Sequence, residues 1–424
     1  MTRVLFACWP FEGHVFPQMS QAIALRDRGA EVAFYTHESR RALVEAEGFR
    51  LFGFQRVGPA WERVHGRESG NAGRGEALKL MRAAREWMIG TMAGQVADLQ
   101  DVVREWAPDV IGAEGSMWGP LLVLSELGPV PVALVSPLTG LADPPPAGVR
   151  GQVRDAVVGI ARRPMLRRID AVRAQHGLAP MGCSVNEAFG RLPLHLVLSV
   201  PELDHDRTDV PANVHYVGAC LWHPPEPPGT AEWLDELPAD RPWVHVTEGT
   251  SRFQEPFVLR AAAQGLAGAP FEAVVTTGRA IDVRAAGLEA PAANVHVRDW
   301  LSHDVLLPRC AAVVTTGGMG TVMAALRVGV PLVVVPTGWD KPASAARVVA
   351  AGAGVRLEPR RCTPEGLRAA VDEVLGDPRY ARAAQQAAER LAAAPGPAGA
   401  AALIERLAGA SAGGSRMGVA GAWS

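Results

Sequence analysis

The chain has no surplus of charge of either sign: Lys plus Arg number 42 and Asp plus Glu 44 in 424 residues. A field suited to nucleic acid or an anionic membrane is therefore excluded. Cysteine is sparse, with Cys8, Cys183, Cys220, Cys310 and Cys362 far apart and odd in number. No CxxC pair and no Cys/His cluster has metal-ligand spacing, which argues against a disulfide framework or a zinc site and predicts a reduced, cytoplasmic, metal-free protein. No apolar run reaches the roughly 18 residues of a membrane span. The opening "MTRVLFACWPFEGHVFP" lacks a signal-peptide core, so no membrane insertion is expected.

What is present is apolar residue in regular alternation. Hydrophobic residues make up 48% of the chain and charged residues 20%, the composition of a folded protein of two domains. "RVLFACW", "GHVFPQMSQAIALRDRG" and "AEVAFYTH" read as strand, helix and strand. The pattern returns at "PDVIGAEG", "SMWGPLLVLSELG" and "VPVALVSP", which predicts a parallel sheet covered on both faces. Residues 150–190 read as mostly helical, with the arginines of "VRGQVRDAVVGIARRPMLRRIDAVRAQHG" on a solvated face. A proline-rich stretch, "LWHPPEPPGTAEW", then separates a second series: "WVHVTEG", "FEAVVTTG", "NVHVRDW", "AAVVTTGG" and "PLVVVPTG". The expected organisation is an α/β fold of two Rossmann-like domains, residues 1–221 and 233–409, a linker at 222–232 and a flexible tail at 410–424. Ligands of such sheets bind beyond the carboxyl ends of the strands, so a deep interdomain cleft is the expected site.

The most informative stretch is "VVTTGGMGT", where Thr315 to Thr321 turn from a strand into a helix. Glycines at 317, 318 and 320 allow backbone amides to approach an anion at the helix start. Alone, the turn is either a phosphate cradle or a tight βα connection; it is neither a Walker loop nor a clean GxGxxG. Its surroundings favour the cradle. Trp300 follows one strand, Asp340 and Lys341 follow another, and together they suit a base, a diphosphate and a hydroxyl-rich group.

On these residues, and most specifically from Trp300 to Val348, the chain resembles the family 1 glycosyltransferases of GT-B fold that act in bacterial natural-product biosynthesis. "GHVFP" is similar to that family's N-terminal Gly-His-x-x-P, and "RPWVHVTEGT" to its diphosphate-side loop. The resemblance implies inverting, metal-independent transfer from a dTDP- or UDP-sugar co-substrate, with no cofactor, to a polyketide or aromatic acceptor, by a monomer or homodimer. It implies that His14 is the catalytic base and Glu114 its carboxylate partner, one methylene longer than the usual Asp. On the donor side it implies Trp300 on the base, His303 near the ribose, Thr250, Thr316, Gly317, Gly318, Gly320 and Thr321 at the phosphates, and Asp340 with Lys341 at the sugar hydroxyls. The pattern departs at Thr316 (usually His), Ala324 (usually Glu), Lys341 (usually Gln) and Ser344 (usually Asn), which leaves base and sugar open.

For the acceptor, Trp9, Phe11 and Trp118 flank His14 and Glu114 and are the expected lining; Trp61, Trp87, Met88, Met92 and Met117 are further candidates. Two other readings stand beside transfer: a sugar-nucleotide epimerase or hydrolase on the same scaffold, and a non-catalytic binding or activator protein. A nicotinamide dehydrogenase lacks its fingerprint in both halves.

Overall fold

A computed structural model describes residues 1–58, 79, 82–83, 86–136, 163–204, 210–225, 229–249, 256–278 and 287–413. Thr250, Trp61, part of the proline-rich linker and the tail beyond 413 lie outside them.

Two parallel sheets organise the chain. The first has seven strands in the order β3-β2-β1-β4-β5-β6-β7. They are β1 (Arg3–Ala7), β2 (Glu31–Thr36), β3 (Arg50–Gly53), β4 (Val110–Glu114), β5 (Val132–Ser136), β6 (His195–Val197) and β7 (Val214–Tyr216). The second has six, in the order β10-β9-β8-β11-β12-β13. These are β8 (Trp243–Thr247), β9 (Glu272–Thr276), β10 (Val295–Arg298), β11 (Ala312–Thr315), β12 (Leu332–Val334) and β13 (Gly354–Arg356).

The strands are continuous apolar runs because both faces of each sheet are covered. In β1 and just beyond it, Val4, Phe6 and Cys8 join the core on one face, while Leu5, Ala7 and Trp9 join that on the other. Both strand orders reverse direction beside their central strand, at β1/β4 and at β8/β11. All ladders are parallel, so each reversal opens a crevice at the carboxyl edge of its sheet. The residues that leave those four strand ends are the ones positioned for chemistry.

Four helices matter to the site: α1 (Glu12–Asp27), α2 (Met319–Arg327), α3 (Lys341–Ala350) and α4 (Gly396–Gly413). α4 follows the second unit in sequence but packs on the first. Its Ala400, Ala401 and Ile404 are fully buried with Val15, Met19 and Ala22 of α1, and Arg28 pairs with Glu405 at 2.6 Å. A stripe of small residues lets two helices close tightly. The reverse crossing is made by Val200 and Leu203, which follow β6 and join the core of the second sheet. There Arg347 of α3 meets Asp204 at 2.9 Å, both groups nearly inaccessible, and Tyr216 donates to the same carboxylate at 2.7 Å. The basic segment meets the expectation of a solvated face only in part where it is described: Arg163, Arg167 and Arg168 are exposed, but Arg173 departs from it. Arg173 is buried and paired with Glu126.

Candidate active site

His14 enters the site because β1 ends at Ala7 and the chain turns at once into α1. Phe11 caps that helix without a side-chain bond, and its carbonyl accepts from the amides of His14 and Val15 at 2.9 Å each. Pro17 sits inside the first turns, where it lacks the amide that would tie them down. Glu114 is the last residue of the neighbouring β4, so the two side chains emerge on either side of the first sheet's switch point.

Their contact is direct. His14 Nδ1 lies 3.2 Å from Glu114 Oε2; the carboxylate is 2% exposed and the imidazole 31%. Ser116, which the sequence reading passed over, fixes the carboxylate from below: its hydroxyl donates to Oε1 at 2.5 Å and its amide to Oε2 at 3.1 Å. Burial opposes a charge on His14, but Glu114, and then Asp340, outweigh it and raise the imidazole above its ordinary range. Burial likewise disfavours the Glu114 anion, yet His14 and the two Ser116 donors hold its pKa below the usual carboxylate value. The Nδ1–Glu114 contact is an ion-pair approach, not an aligned hydrogen bond, and a proton held on Nδ1 by the carboxylate leaves Nε2 the lone pair that can accept another.

The second half of the site is the carboxyl edge of the other sheet. Gly317 has φ 93°, and a Cβ there would stand 2.9 Å from Val334 Cγ1 and 3.3 Å from the Lys341 carbonyl, so only glycine fits. Gly318 is the N-cap of α2 and offers no side-chain cap. The first amides of α2 therefore point outward without an intrahelical acceptor. A Cβ on Gly318 or Gly320 would meet nothing within 4 Å, which leaves open space above the turn. Thr321 is buried in the first turn of α2.

Thr316 differs from what its place in the turn suggested. Its hydroxyl donates to the Glu248 carbonyl at 3.1 Å. β11 pairs with β8, so this bond ties the turn to the loop after β8, and the single hydroxyl proton is committed there rather than toward a phosphate.

Asp340 and Lys341 begin α3 after β12. Burial raises the Asp340 carboxyl, while its own amide, Lys341 and His14 pull the other way. Burial lowers Lys341, opposed by Asp340 and Glu248, and its ammonium donates to Thr337 Oγ1 at 3.1 Å. α1, which carries His14, packs against α2, and this contact brings the dyad of the first unit to the donor edge of the second.

Trp300 is half-buried beyond β10. His303 opens a short helix, and its ring packs against His223 and His245 at centroid distances of 5.3 and 5.8 Å. Burial, then the neighbouring His245 and His223, drive its pKa well below the ordinary histidine value, so it is neutral.

The acceptor candidates divide. Phe11 is half-buried and packs edge-on to His14 at 5.4 Å. Trp118 is 9% exposed, seated because Gly119 lies so close to the helix Met92–Trp106 that its amide bonds to Gln95 Oε1 at 2.8 Å. Trp9 corrects the expectation of a lining residue. It has no exposed surface and packs 4.2 Å from the Trp87 ring and 5.5 Å from Phe54. Its indole belongs to the core beneath the site. Trp87, Met92 and Met117 are also core; Met88 is partly buried against it.

Two Rossmann sheets joined so that a His–carboxylate pair meets a glycine turn and an acidic strand end make the architecture of a GT-B glycosyltransferase. A profile of the erythromycin biosynthesis protein CIII-like C-terminal domain matches residues 272–407. The 4'-demethylrebeccamycin synthase of Lentzea aerocolonigenes is 33% identical over 427 residues, which cover 96% of this chain and 99% of the relative. A PGL/p-HBAD biosynthesis glycosyltransferase of Mycobacterium tuberculosis (strain ATCC 25177 / H37Ra) is 30% identical over 335 residues, 76% of this chain and 74% of its own. Among solved structures, the glycotransferase of kitacinnamycin superposes with a TM-score of 0.77 at 26% identity, covering 96% of this chain and 98% of its own. The chain belongs to the family of GT-B glycosyltransferases of natural-product biosynthesis, and it is an enzyme of that class.

Proposed function

We propose that the protein transfers a sugar from a dTDP- or UDP-sugar to a hydrophobic small-molecule acceptor, of polyketide or aromatic type, with inversion and without a metal or cofactor. The observation that carries this reading is that α1, which bears His14 of the His14–Glu114 pair, packs against α2, whose glycine turn lies beside Lys341 at the start of α3. The acceptor's nucleophile would give its proton to His14 Nε2 as it attacks the anomeric carbon. Glu114 would stabilise the imidazolium through Nδ1, and Ser116 would keep the carboxylate in place.

The leaving diphosphate would be received by the first amides of α2, with Gly318 and Gly320 giving it room. Trp300 lies at the end of β10, three strand spacings from β11. At ~4.8 Å per spacing that is on the order of 14 Å, enough for a base at one end and a diphosphate at the other. The half-buried Phe11 beside His14 offers an aromatic acceptor a surface next to the base. All five cysteines are free thiols, which agrees with a cytoplasmic enzyme, a monomer or homodimer in our reading.

The test is a thermal-shift screen of nucleoside diphosphates and their sugars, followed by a mass-spectrometric assay of glycoside formation on aromatic and polyketide acceptors. Stabilisation by dTDP or UDP and a product one glycosyl unit heavier are expected. No shift with any nucleotide would overturn the donor reading.

A further inference from the structure

We propose that Trp339 is the platform on which the pyranose ring of the donor stacks, an assignment that rests on the nucleotide-sugar reading above. Among the described residues two non-glycine positions have positive φ, Ala107 at 48° and Trp339 at 58°. Ala107 is accounted for by the helix it ends, since its amide bonds to the Val103 carbonyl in a left-handed cap. Trp339 terminates no helix; it takes the first corner of a tight turn closed by the Lys341 amide, which donates to the Gly338 carbonyl at 3.1 Å. A bulky side chain in this region is strained, and the strain falls on the tryptophan although Gly338 stands beside it. Such outliers persist where function holds them.

Trp339 is also 43% exposed, the only aromatic among the large exposed apolar residues described. It lies on the carboxyl-end loop of β12, immediately before Asp340. A pyranose presents a face of C–H bonds and a rim of hydroxyls. The negative face of an indole suits the first and a carboxylate suits the second. Trp339 and Asp340 supply both from consecutive residues, at the entry to α3.

The experiment is calorimetric titration of wild type, Trp339→Asn and Trp339→Phe with dTDP and UDP, and with their glucose conjugates. Asparagine tolerates the left-handed backbone, so Trp339→Asn is expected to melt no lower than wild type. Its affinity for the free diphosphate stays unchanged, while its affinity for the sugar conjugate falls roughly three- to tenfold. Trp339→Phe retains most of that increment. Equal binding of the sugar conjugate by wild type and Trp339→Asn overturns the proposal while leaving the donor reading intact. So does an equal loss for diphosphate and conjugate. Failure of wild type to bind any of these nucleotides overturns the donor reading and the platform with it.

Discussion

Replacing Glu114 by Gln removes the negative charge beside His14 while keeping the size of the side chain. At the observed 3.2 Å, and with the effective dielectric of about 20 that suits partly buried sites, the ion pair formed during reaction is worth about 5 kcal/mol at most. Solvent reaches 31% of the imidazole and weakens that attraction, which places the loss nearer 3 to 5 kcal/mol, or roughly 10²- to 10⁴-fold in kcat. The pH profile gives an independent reading. Burial alone lowers His14, and Glu114 is the main influence that raises it above the ordinary value. A base works only when deprotonated, so the acid limb of kcat/KM in wild type lies above the ordinary histidine pKa and moves to lower pH in Glu114→Gln. Glu114→Asp keeps the charge and should recover part of the rate. A Glu114→Gln enzyme with an unmoved acid limb and near-normal kcat would refute the dyad.

Two glycines of the donor turn should separate structure from binding. Gly317→Ala meets Val334 and carries an unfavourable φ, so denaturant unfolding should show a loss of about 1–3 kcal/mol. Gly318→Val fits its backbone and meets no neighbour, so it should fold normally and lose nucleoside diphosphate affinity by calorimetry. Removing one member of the buried pair between the units, by Arg347→Met, leaves Asp204 uncompensated and should cost about 3–5 kcal/mol in urea unfolding. Burial holds His195 and His245 at about 4, against an ordinary 6.5. The unfolded chain therefore takes up protons that the fold refuses. Stability is complete above pH 6.5 and is lost as pH falls, by about 3 kcal/mol for each at about 1.4 kcal/mol per unit. Unfolding free energy measured from pH 7 to pH 4 should fall accordingly, and less steeply in His245→Asn.

Much of this arrangement was legible before the structure. Parallel strands covered on both faces are unbroken apolar runs, so the βα order of both halves could be read directly; His14 and Glu114 were reached through the family resemblance, and only the pairing of β1 with β4 shows that they leave adjacent strand ends. The details that escaped depend on three-dimensional pairing. The alanine-rich stripe of α4 would fit either sheet, and only its contacts with α1 assign it. A tryptophan at a strand end reads equally as core or as lining, and Trp9 is core. The bond from Thr316 to the Glu248 carbonyl exists because β8 and β11 are neighbours, although 68 residues separate the partners. Ser116 carried a readable signal, a hydroxyl two residues beyond an acid at a strand end. The left-handed backbone of Trp339 carried none, because a bulky residue type does not announce a positive φ.

The central claim is that His14 is the base for transfer from a nucleotide sugar, and a single comparison tests it most directly. His14→Ala and wild type are incubated with the sugar donor and an acceptor found by the screen, and glycoside formation is followed by mass spectrometry at matched nucleotide occupancy. The dyad predicts that the variant binds nucleoside diphosphate as wild type does and forms no glycoside above background. Near-normal turnover by His14→Ala would contradict it.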